Sequence, residues 1–131
     1  MKFQLMLAPM EGIADNLFRM LCHKYGADLT FTGIARVSNL ARQKQGELEK
    51  ILILNTTPTQ IQLAGAKISE YEKFLAGFKP TKGFRGFNLN IRFSEEPLSL
   101  MRETLHNVQG MKAHSEIQFS LDSENLKDCC P

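Results

Sequence analysis

Short apolar runs alternate with helically spaced apolar residues along most of this chain. Continuous runs of this length predict strands, and they cover residues 3–8, 28–32, 59–64 and 86–90, with residues 51–54 as a further candidate strand. Apolar residues at helical spacing predict three helices between them, over residues 17–25, 35–41 and 68–78. Strands that alternate with helices are typical of a parallel sheet covered by helices. The pattern therefore predicts an α/β fold.

The first predicted helix has the clearest sequence signals. Asp15 can cap its amino-terminal end, because the carboxylate can accept a hydrogen bond from a free backbone N–H. Gly26 can end it, because glycine readily adopts the left-handed conformation found at many helix ends. Its apolar residues recur on one helical face, which is formed by Leu17, Phe18, Leu21, Cys22 and Tyr25.

The length of the chain limits how much of a larger fold it can form. A chain of 131 residues suits one domain with a modest core. A closed barrel of eight strand–helix units typically needs about 250 residues, so this chain can form roughly half of one. We expect such a half of a TIM-type barrel over residues 1–96, with four or five strands and helices packed on one side. In the tail, residues 97–131, helical spacing at 98–108 predicts a helix, and alternation at 117–121 predicts a strand.

Charge and cysteine content narrow the function classes only a little. The balance of 16 Lys and Arg against 14 Asp and Glu gives a net charge of +2, which neither indicates nor excludes an RNA partner. Residues 1–9 are too short to span a membrane and no signal-peptide pattern follows, so we expect a cytoplasmic protein.

Cys22 and the pair at 129–130 show neither metal-ligand nor disulfide spacing. His106 and His114 lack partner residues for a metal site, so no metal ligand is assigned.

Three polar segments lie at the carboxyl ends of predicted strands, where the chemistry of parallel strand–helix folds collects. They are residues 8–12 (Ala-Pro-Met-Glu-Gly), 60–63 (Gln-Ile-Gln-Leu) and 88–90 (Asn-Leu-Asn). In the first, Pro9 fixes the backbone and Gly12 permits a tight turn, so the main chain around Met10 can lie against a flat ligand. An ordinary strand-to-helix turn explains the same residues equally.

Amide side chains stand in the other two segments. Gln62 lies in a strand that should be buried, where an unpaired amide would cost about 1–3 kcal/mol, so it needs a hydrogen-bond partner. That partner can be the edge of a ligand ring or a neighbouring group in the core. Asn88 and Asn90 project on the same side of their strand. They can contact a ligand, or they can end the strand by bonding nearby backbone.

In their order and spacing, these three segments resemble the amino-terminal half of the flavin-dependent tRNA-dihydrouridine synthases, over residues 7–90. The pairs Phe18-Arg19 and Leu21-Cys22 and the run 26–29 also match that family's pattern. The resemblance implies a TIM-type barrel that binds flavin mononucleotide (FMN), has an added helical domain and reduces uridine in tRNA with a nicotinamide cofactor as electron source.

The same resemblance implies roles for four residues. Pro9 and Met10 would line the flavin, and Gln62 would hydrogen-bond its ring system. Asn90 would face a uracil flipped out of the RNA, because a stacked base cannot reach a buried flavin.

The chain departs from the family pattern where that pattern carries catalysis. The family continues with Gly-Cys-Pro, whose cysteine gives a proton to the base, whereas this chain has Ile91, Arg92 and Phe93, none of which can act as a general acid. Gly33 stands where family members usually have a glutamate. The family's later lysine, histidine and glycine-rich phosphate loops have no counterpart. The resemblance therefore assigns no catalytic residue and implies weak or no FMN binding by this chain alone.

Three hypotheses for function remain open. The chain is a truncated synthase that needs another chain for its missing half, a non-catalytic binding module or remnant of the same fold, or a product whose residues after Asn90 arise from a frame shift. In each case an open parallel sheet leaves apolar faces and edges uncovered. We therefore expect the chain to form homo-oligomers, to dock on a partner chain or to aggregate unless the tail covers the sheet.

Overall fold

The computed structural model describes residues 3–90 and, for the backbone, residues 118–120. The helices of these residues are α1 (Asn16–Lys24), α2 (Val37–Ala41), α3 (Gln45–Lys50) and α4 (Ile68–Gly77). The strands are β1 (Thr30–Phe31), β2 (Ala35–Arg36), β3 (Thr59–Ala64), β4 (Phe84–Asn90) and β5 (Gln118–Ser120). This alternation of strands and helices confirms the predicted α/β fold.

The sheet is parallel throughout, and its strands lie side by side in chain order. β1 and β2 both pair with β3, β3 pairs with β4, and β4 pairs with β5. A parallel bridge between Met6 and Leu29 places the first apolar run beside the start of β1. Parallel strands in sequential order are the arrangement of a TIM-type barrel. Over the described residues the sheet is not closed, which confirms the expected partial barrel.

β1 and β2 act as one strand that residues 32–34 interrupt. Thr30 pairs with Thr59 and Ala35 pairs with Leu63, so the register against β3 changes by one residue across the interruption. The hydroxyl oxygen of Thr32 accepts a hydrogen bond from the backbone N–H of Gln62 at 3.0 Å, in place of a backbone carbonyl. The helix expected over 35–41 was therefore placed two residues too early, because Ala35 belongs to β2 and α2 begins at Val37.

The hydrophobic core lies between one face of the sheet and helices α2 and α4. Four phenylalanines extend it at the end of α4 and along β4, with ring centroids 4.9–6.3 Å apart: Phe74, Phe78, Phe84 and Phe87. Such tilted and edge-on arrangements are the favoured geometries for aromatic pairs. Helices on one side of the sheet therefore supply its apolar cover, as expected.

The strand predicted over residues 3–8 is too long, and the strand predicted over residues 51–54 is wrong. The run 3–8 forms only an isolated bridge, from Met6 to Leu29, because Leu5 N donates to the Asp28 carboxylate at 2.9 Å instead of to a backbone carbonyl. Residues 51–54 form no strand, because side chains take their backbone groups. Leu52 O accepts from Arg19, and Leu54 N donates to Asn16 Oδ1 at 3.0 Å.

Element boundaries differed elsewhere for reasons of composition. Helix α3 was not predicted, because it is almost wholly polar and carries no apolar period. Strand β4 begins at Phe84, two residues before the predicted start, because Gly86 weakens the strand pattern in the sequence.

Helix α1 has the predicted ends but not the expected orientation. Asp15 Oδ1 accepts a hydrogen bond from Phe18 N at 2.8 Å, and Gly26 has φ 110°, so both end signals are confirmed. The apolar positions Leu17, Leu21 and Tyr25, however, are 68%, 47% and 78% exposed. An amphipathic helix normally turns this face to the core, and α1 turns it outward.

Arg19 explains this orientation, because it is the residue that α1 buries. Its side chain is 1% exposed, and its guanidinium donates to Ala14 O, to Asn16 Oδ1 at 2.9 Å and to Leu52 O at 2.7 Å. Burial lowers the pKa of Arg19, and the nearby Asp15 carboxylate partly offsets that effect. These bonds fasten α1 to the segment that follows α3.

Part of the tail joins the sheet. β5 lies within the alternating run 117–121 and pairs in parallel with β4, which confirms a strand there. The helix expected over 98–108, the residues 91–93, His106, His114 and the cysteines at 129–130 lie outside the described residues. The domain boundary between 96 and 97 stays a prediction.

Candidate functional site

A pair of buried amides lies on the face of the sheet opposite the core. Ile61, Leu63 and Leu89 belong to the core on the helix side. Because side chains alternate along a strand, Gln62 and Asn88 project from the other face. These two residues are paired across β3 and β4, and Gln62 Nε2 donates to Asn88 Oδ1 at 3.0 Å. Both are 4% exposed, so this face carries buried polar groups where a core would have apolar ones.

Two carbonyl oxygens on β3 have no hydrogen-bond partner among the described residues: Gln60 Oε1 and Gln62 Oε1. The two glutamines are two residues apart and share a face of the strand. An unpaired buried acceptor costs about 1–3 kcal/mol, so such groups call for a donor from a ligand or a water. Gln62 was predicted as a site residue. Gln60 was missed, although its period-2 spacing from Gln62 is a signal that could have identified it.

A cleft of about 550 Å³ lies at the carboxyl ends of β2, β3 and β4. Three of its lining residues form a row across the sheet, since Arg36 pairs with Ala64 and Ala64 pairs with Asn90. Neighbouring strands are about 4.8 Å apart, so the backbones of Arg36 and Asn90 stand about 10 Å apart. The volume is in the range of small-molecule sites, and strand carboxyl ends are where parallel sheets bind ligands.

Charged side chains of both signs line this cleft. Arg36 and Lys67 are exposed and make no ion pair with any described residue, while Glu70 adds one carboxylate. Two cations against one anion leave the cleft with a net positive charge. This favours an anionic ligand such as a phosphate.

Glu47 holds the backbone of Arg36 at the edge of the cleft. Its carboxylate is 8% exposed and accepts hydrogen bonds from Arg36 N and from Asn39 Nδ2, both at 2.9 Å. Lys50 Nζ lies 3.3 Å away. Burial raises the pKa of Glu47, but these hydrogen bonds and the Lys50 charge outweigh burial and leave the pKa below its usual value. No sequence pattern predicted this role for Glu47, because α3 was not predicted.

Tyr71 shapes the loop between β3 and α4. Its hydroxyl donates to Gly65 O at 3.2 Å, and burial raises the pKa of Tyr71 to about 12, so the donor stays protonated at neutral pH. A Cβ at Gly65 would lie 3.3 Å from the Tyr71 ring and 3.3 Å from Val37. The cleft wall at this point therefore depends on glycine.

The first polar segment lines a second, smaller cleft of about 210 Å³. Met10 lines it, and Met10 O accepts from Ala14 N at 3.2 Å. Gly12 has φ 76°, which confirms the tight turn expected there. Pro9 is half-buried just before the lining residues.

Glu11, Gly33 and Lys50 also line this smaller cleft. The Glu11 carboxylate accepts from Ile34 N at 3.0 Å and contacts Lys50 Nζ at 2.9 Å. The hydrogen bond to Glu11 raises the pKa of Lys50 against the opposing effect of burial. A Cβ at Gly33 would lie 3.2 Å from Glu11 Oε2, so a carboxylate stands beside the position where the sequence lacks the family's glutamate.

The structure brings some of the four proposed site residues together and not others. Gln62 pairs with Asn88, and two residues further along the same strands Ala64 pairs with Asn90. Asn90 lines the larger cleft, while Met10 lines the smaller one. The functional roles given to Pro9, Met10, Gln62 and Asn90 stay predictions.

Two classes of site find no support in the part of the chain that the structure describes. Residues 3–90 and 118–120 contain no group of three or more His, Cys, Asp or Glu that could hold a metal ion. No helix in the same residues has the length and apolar character needed to cross a membrane.

Comparison with known proteins identifies the family. No curated protein and no solved structure gives a significant match. The family model described as dihydrouridine synthase (Dus) matches residues 6–91 of the 131, which include α1 to α4, β1 to β4 and both clefts. The match covers more than half of the chain and the whole row of strand ends. The chain therefore belongs to the dihydrouridine synthase family, whose members are generally flavin-dependent and act on tRNA.

Proposed function

We propose that this chain holds a flavin- and uracil-facing part of a tRNA-dihydrouridine synthase site and does not reduce uridine by itself. The observation that carries the proposal is the unpaired, buried Gln62 Oε1, which lies on the same face of β3 as Ala64, a residue that lines the larger cleft two positions further along the strand. The isoalloxazine ring of FMN has an N–H group that can donate a hydrogen bond to such an oxygen, so the residues present fit this part of the cofactor.

The residue roles follow from this fit and from the family. Gln62 would hold the edge of the flavin ring, while Pro9 and Met10 would line it. Asn90, at the end of β4, would bind the flipped uracil. When bound, FMN supplies the hydride for reduction. The chain's own amides would orient the two rings and exclude water from the space between them.

Reduction of uracil also needs a proton, and the chain has no acid at the position that supplies it in the family. Ile91, Arg92 and Phe93 follow Asn90 in the sequence. A positioned acid typically contributes about 10²–10⁴ in rate. We therefore propose that flavin and uracil binding, where they occur, are not followed by catalysis in this chain alone.

The cationic groups of the cleft fit an RNA ligand. Arg36 and Lys67 line the same cleft as Asn90 and are exposed. Cations in such a position contact phosphate groups beside a bound nucleotide and add affinity that falls with salt. A tRNA partner also supports a cytoplasmic location.

Flavin titration of the purified chain tests the proposed site. We expect weak quenching of FMN fluorescence that saturates above micromolar concentration, because the contact proposed for the ring edge is a single hydrogen bond to Gln62 Oε1. Gln62→Leu should abolish the quenching, while Gln4→Leu, the same change at an exposed position, should leave it unchanged. Equal quenching by both variants would contradict the location of the ring.

A non-catalytic RNA-binding module of the same fold is the second candidate. The replacement of the acid by Ile91, Arg92 and Phe93 favours it, together with the cationic cleft. RNA binding in the absence of any flavin quenching would favour this second function over the first.

A further inference from the structure

Residues 33–36 are common to both clefts. Gly33 lines the smaller cleft, while Ile34 and Arg36 line the larger one. Only the last two of these residues, Ala35 and Arg36, belong to a strand, the two-residue β2. Contacts from other parts of the chain therefore help to fix where this stretch lies.

Three charged side chains bond to the backbone of the stretch. Glu11 Oε2 accepts a hydrogen bond from Ile34 N at 3.0 Å, and Lys50 Nζ donates to Ile34 O at 3.4 Å. Glu47 Oε1 accepts from Arg36 N at 2.9 Å. We call Glu11, Glu47 and Lys50 the charged cluster.

Lys50 joins the two carboxylates of the charged cluster. Its Nζ lies 2.9 Å from Glu11 Oε1 and 3.3 Å from Glu47 Oε1. The hydrogen bond to Glu11 raises the pKa of Lys50, so the ammonium stays charged at neutral pH. One cation thus connects the loop after the first apolar run and helix α3 to the stretch that carries Arg36.

We propose that Glu11 and Lys50 are positioning residues for RNA binding, because they fix the stretch from which Arg36 reaches a phosphate group. This inference rests on the proposed function, in which Arg36 contacts tRNA. The Arg36 side chain is exposed and makes no ion pair with any described residue, so its guanidinium is available to a ligand. A backbone that is already held in place lowers the entropy lost when the side chain binds.

The sign of a charge change separates positioning from direct electrostatics. Glu11→Gln removes a negative charge, so electrostatics alone would strengthen tRNA binding. If Glu11 positions Arg36, the same change should instead raise the dissociation constant about threefold or more. Glu72→Gln, the same change at an exposed position of α4, should not weaken binding.

Fluorescence anisotropy of labelled, unmodified tRNA at fixed salt measures these affinities. Arg36→Gln should weaken binding, and adding Glu11→Gln to it should cause no further loss, because the residue being positioned is already gone. Lys50→Gln also removes a cation, so its loss should be smaller in the Arg36→Gln background than in the wild type. Lys50→Arg keeps a cation between the two carboxylates and should bind nearly as tightly as the wild type.

Far-UV circular dichroism separates positioning from loss of folding. Glu11→Gln should give the wild-type spectrum, since the Glu11 side chain is 58% exposed. Binding by Glu11→Gln as tight as that of the wild type, or an equal loss in both backgrounds, would overturn the positioning role while leaving Arg36 as a tRNA contact. No tRNA binding by the wild type, or no effect of Arg36→Gln, would overturn the RNA role itself and this inference with it.

Discussion

The carboxylate of Glu11 lies over Gly33, with Oε2 only 3.2 Å from the position that a Cβ at residue 33 would take. The same oxygen accepts from Ile34 N at 3.0 Å, and the other oxygen contacts Lys50. Glu11 thus ties the loop after the first apolar run to the interruption between β1 and β2. A side chain at residue 33 would require the Glu11 carboxylate to shift by a few tenths of an ångström.

This relationship makes Gly33→Glu a sharp test. The introduced carboxylate would displace Glu11 and add a like charge near Glu47, so we expect the free energy of unfolding to fall by about 1–2 kcal/mol. Gly33→Ala should cost less than about 1 kcal/mol, because the exposed Glu11 side chain can move. Urea unfolding measures both changes. Glu11→Ala in the Gly33→Glu background should recover part of the loss, and strictly additive effects would contradict the contact.

Glu47 should give the fold a pH-dependent contribution to stability. Its pKa is lowered in the folded chain, so its contribution is fully present above the unfolded pKa near 4.5 and is lost as the pH falls through the folded pKa. We expect Glu47→Gln to reduce the free energy of unfolding by about 2 kcal/mol at neutral pH, because hydrogen bonds to a charged acceptor are lost.

The control for this prediction lies on the same helix. Glu49→Gln changes an exposed carboxylate and should alter stability by less than about 0.5 kcal/mol. Urea unfolding of the three proteins from neutral pH down to below pH 4 should show the difference between wild type and Glu47→Gln shrinking as the solution becomes more acidic. A difference that stays constant over this range would show that the Glu47 charge has no part in it.

Tyr71 and Tyr25 form a matched pair for the hydroxyl that holds the cleft wall. Tyr71→Phe should lower the free energy of unfolding by about 1 kcal/mol, because Gly65 O loses its donor. Tyr25→Phe changes a side chain that is 78% exposed and should have almost no effect. The raised pKa of Tyr71 makes its contribution present below the unfolded pKa near 10 and lost as the pH rises through about 12. Equal effects of the two substitutions on urea unfolding would rule out the Tyr71 bond as the cause.

Restoring the family's acid should not by itself restore activity. We expect a chain with Gly-Cys-Pro at Ile91, Arg92 and Phe93 to form no dihydrouridine, because a proton donor is useless without a firmly held flavin. Mass spectrometry of nucleosides from treated tRNA measures this directly. Activity in the restored chain would show that the remaining residues hold FMN well enough for catalysis, and it would contradict weak cofactor binding.

The sequence predicted those parts of the fold that depend on local signals. A short apolar run predicted β3, helical spacing predicted α4, and the cap at Asp15 predicted the start of α1. What it missed depends on side chains that bond across the chain. Thr32 interrupts the second strand by bonding Gln62 N, 30 residues away, and no local pattern reveals this.

The site was predictable to a similar extent. Gln62 and Asn90 could be selected from their places at strand ends, and strand alternation indicated that Asn88 and Asn90 would project on the same side of their strand. The pairing of Gln62 with Asn88 across two strands is seen only in the structure. The outward turn of α1 could not be foreseen, because it depends on carbonyls of Ala14 and Leu52 that accept from the buried Arg19. Burial of the charged Arg19 thus turns the apolar face of α1 outward, although helical periodicity alone predicts that this face packs against the core.

The most direct test of the central claim is a dihydrouridine assay on the wild-type chain. Chain free of contaminating synthase is incubated with unmodified tRNA, FMN and reduced nicotinamide cofactor, and the nucleosides are analysed by mass spectrometry. An active family member in a parallel reaction shows that the tRNA is a competent substrate. We expect no dihydrouridine above background from this chain, because the proton donor after Asn90 is replaced. Dihydrouridine that increases with the amount of wild-type chain would contradict the account.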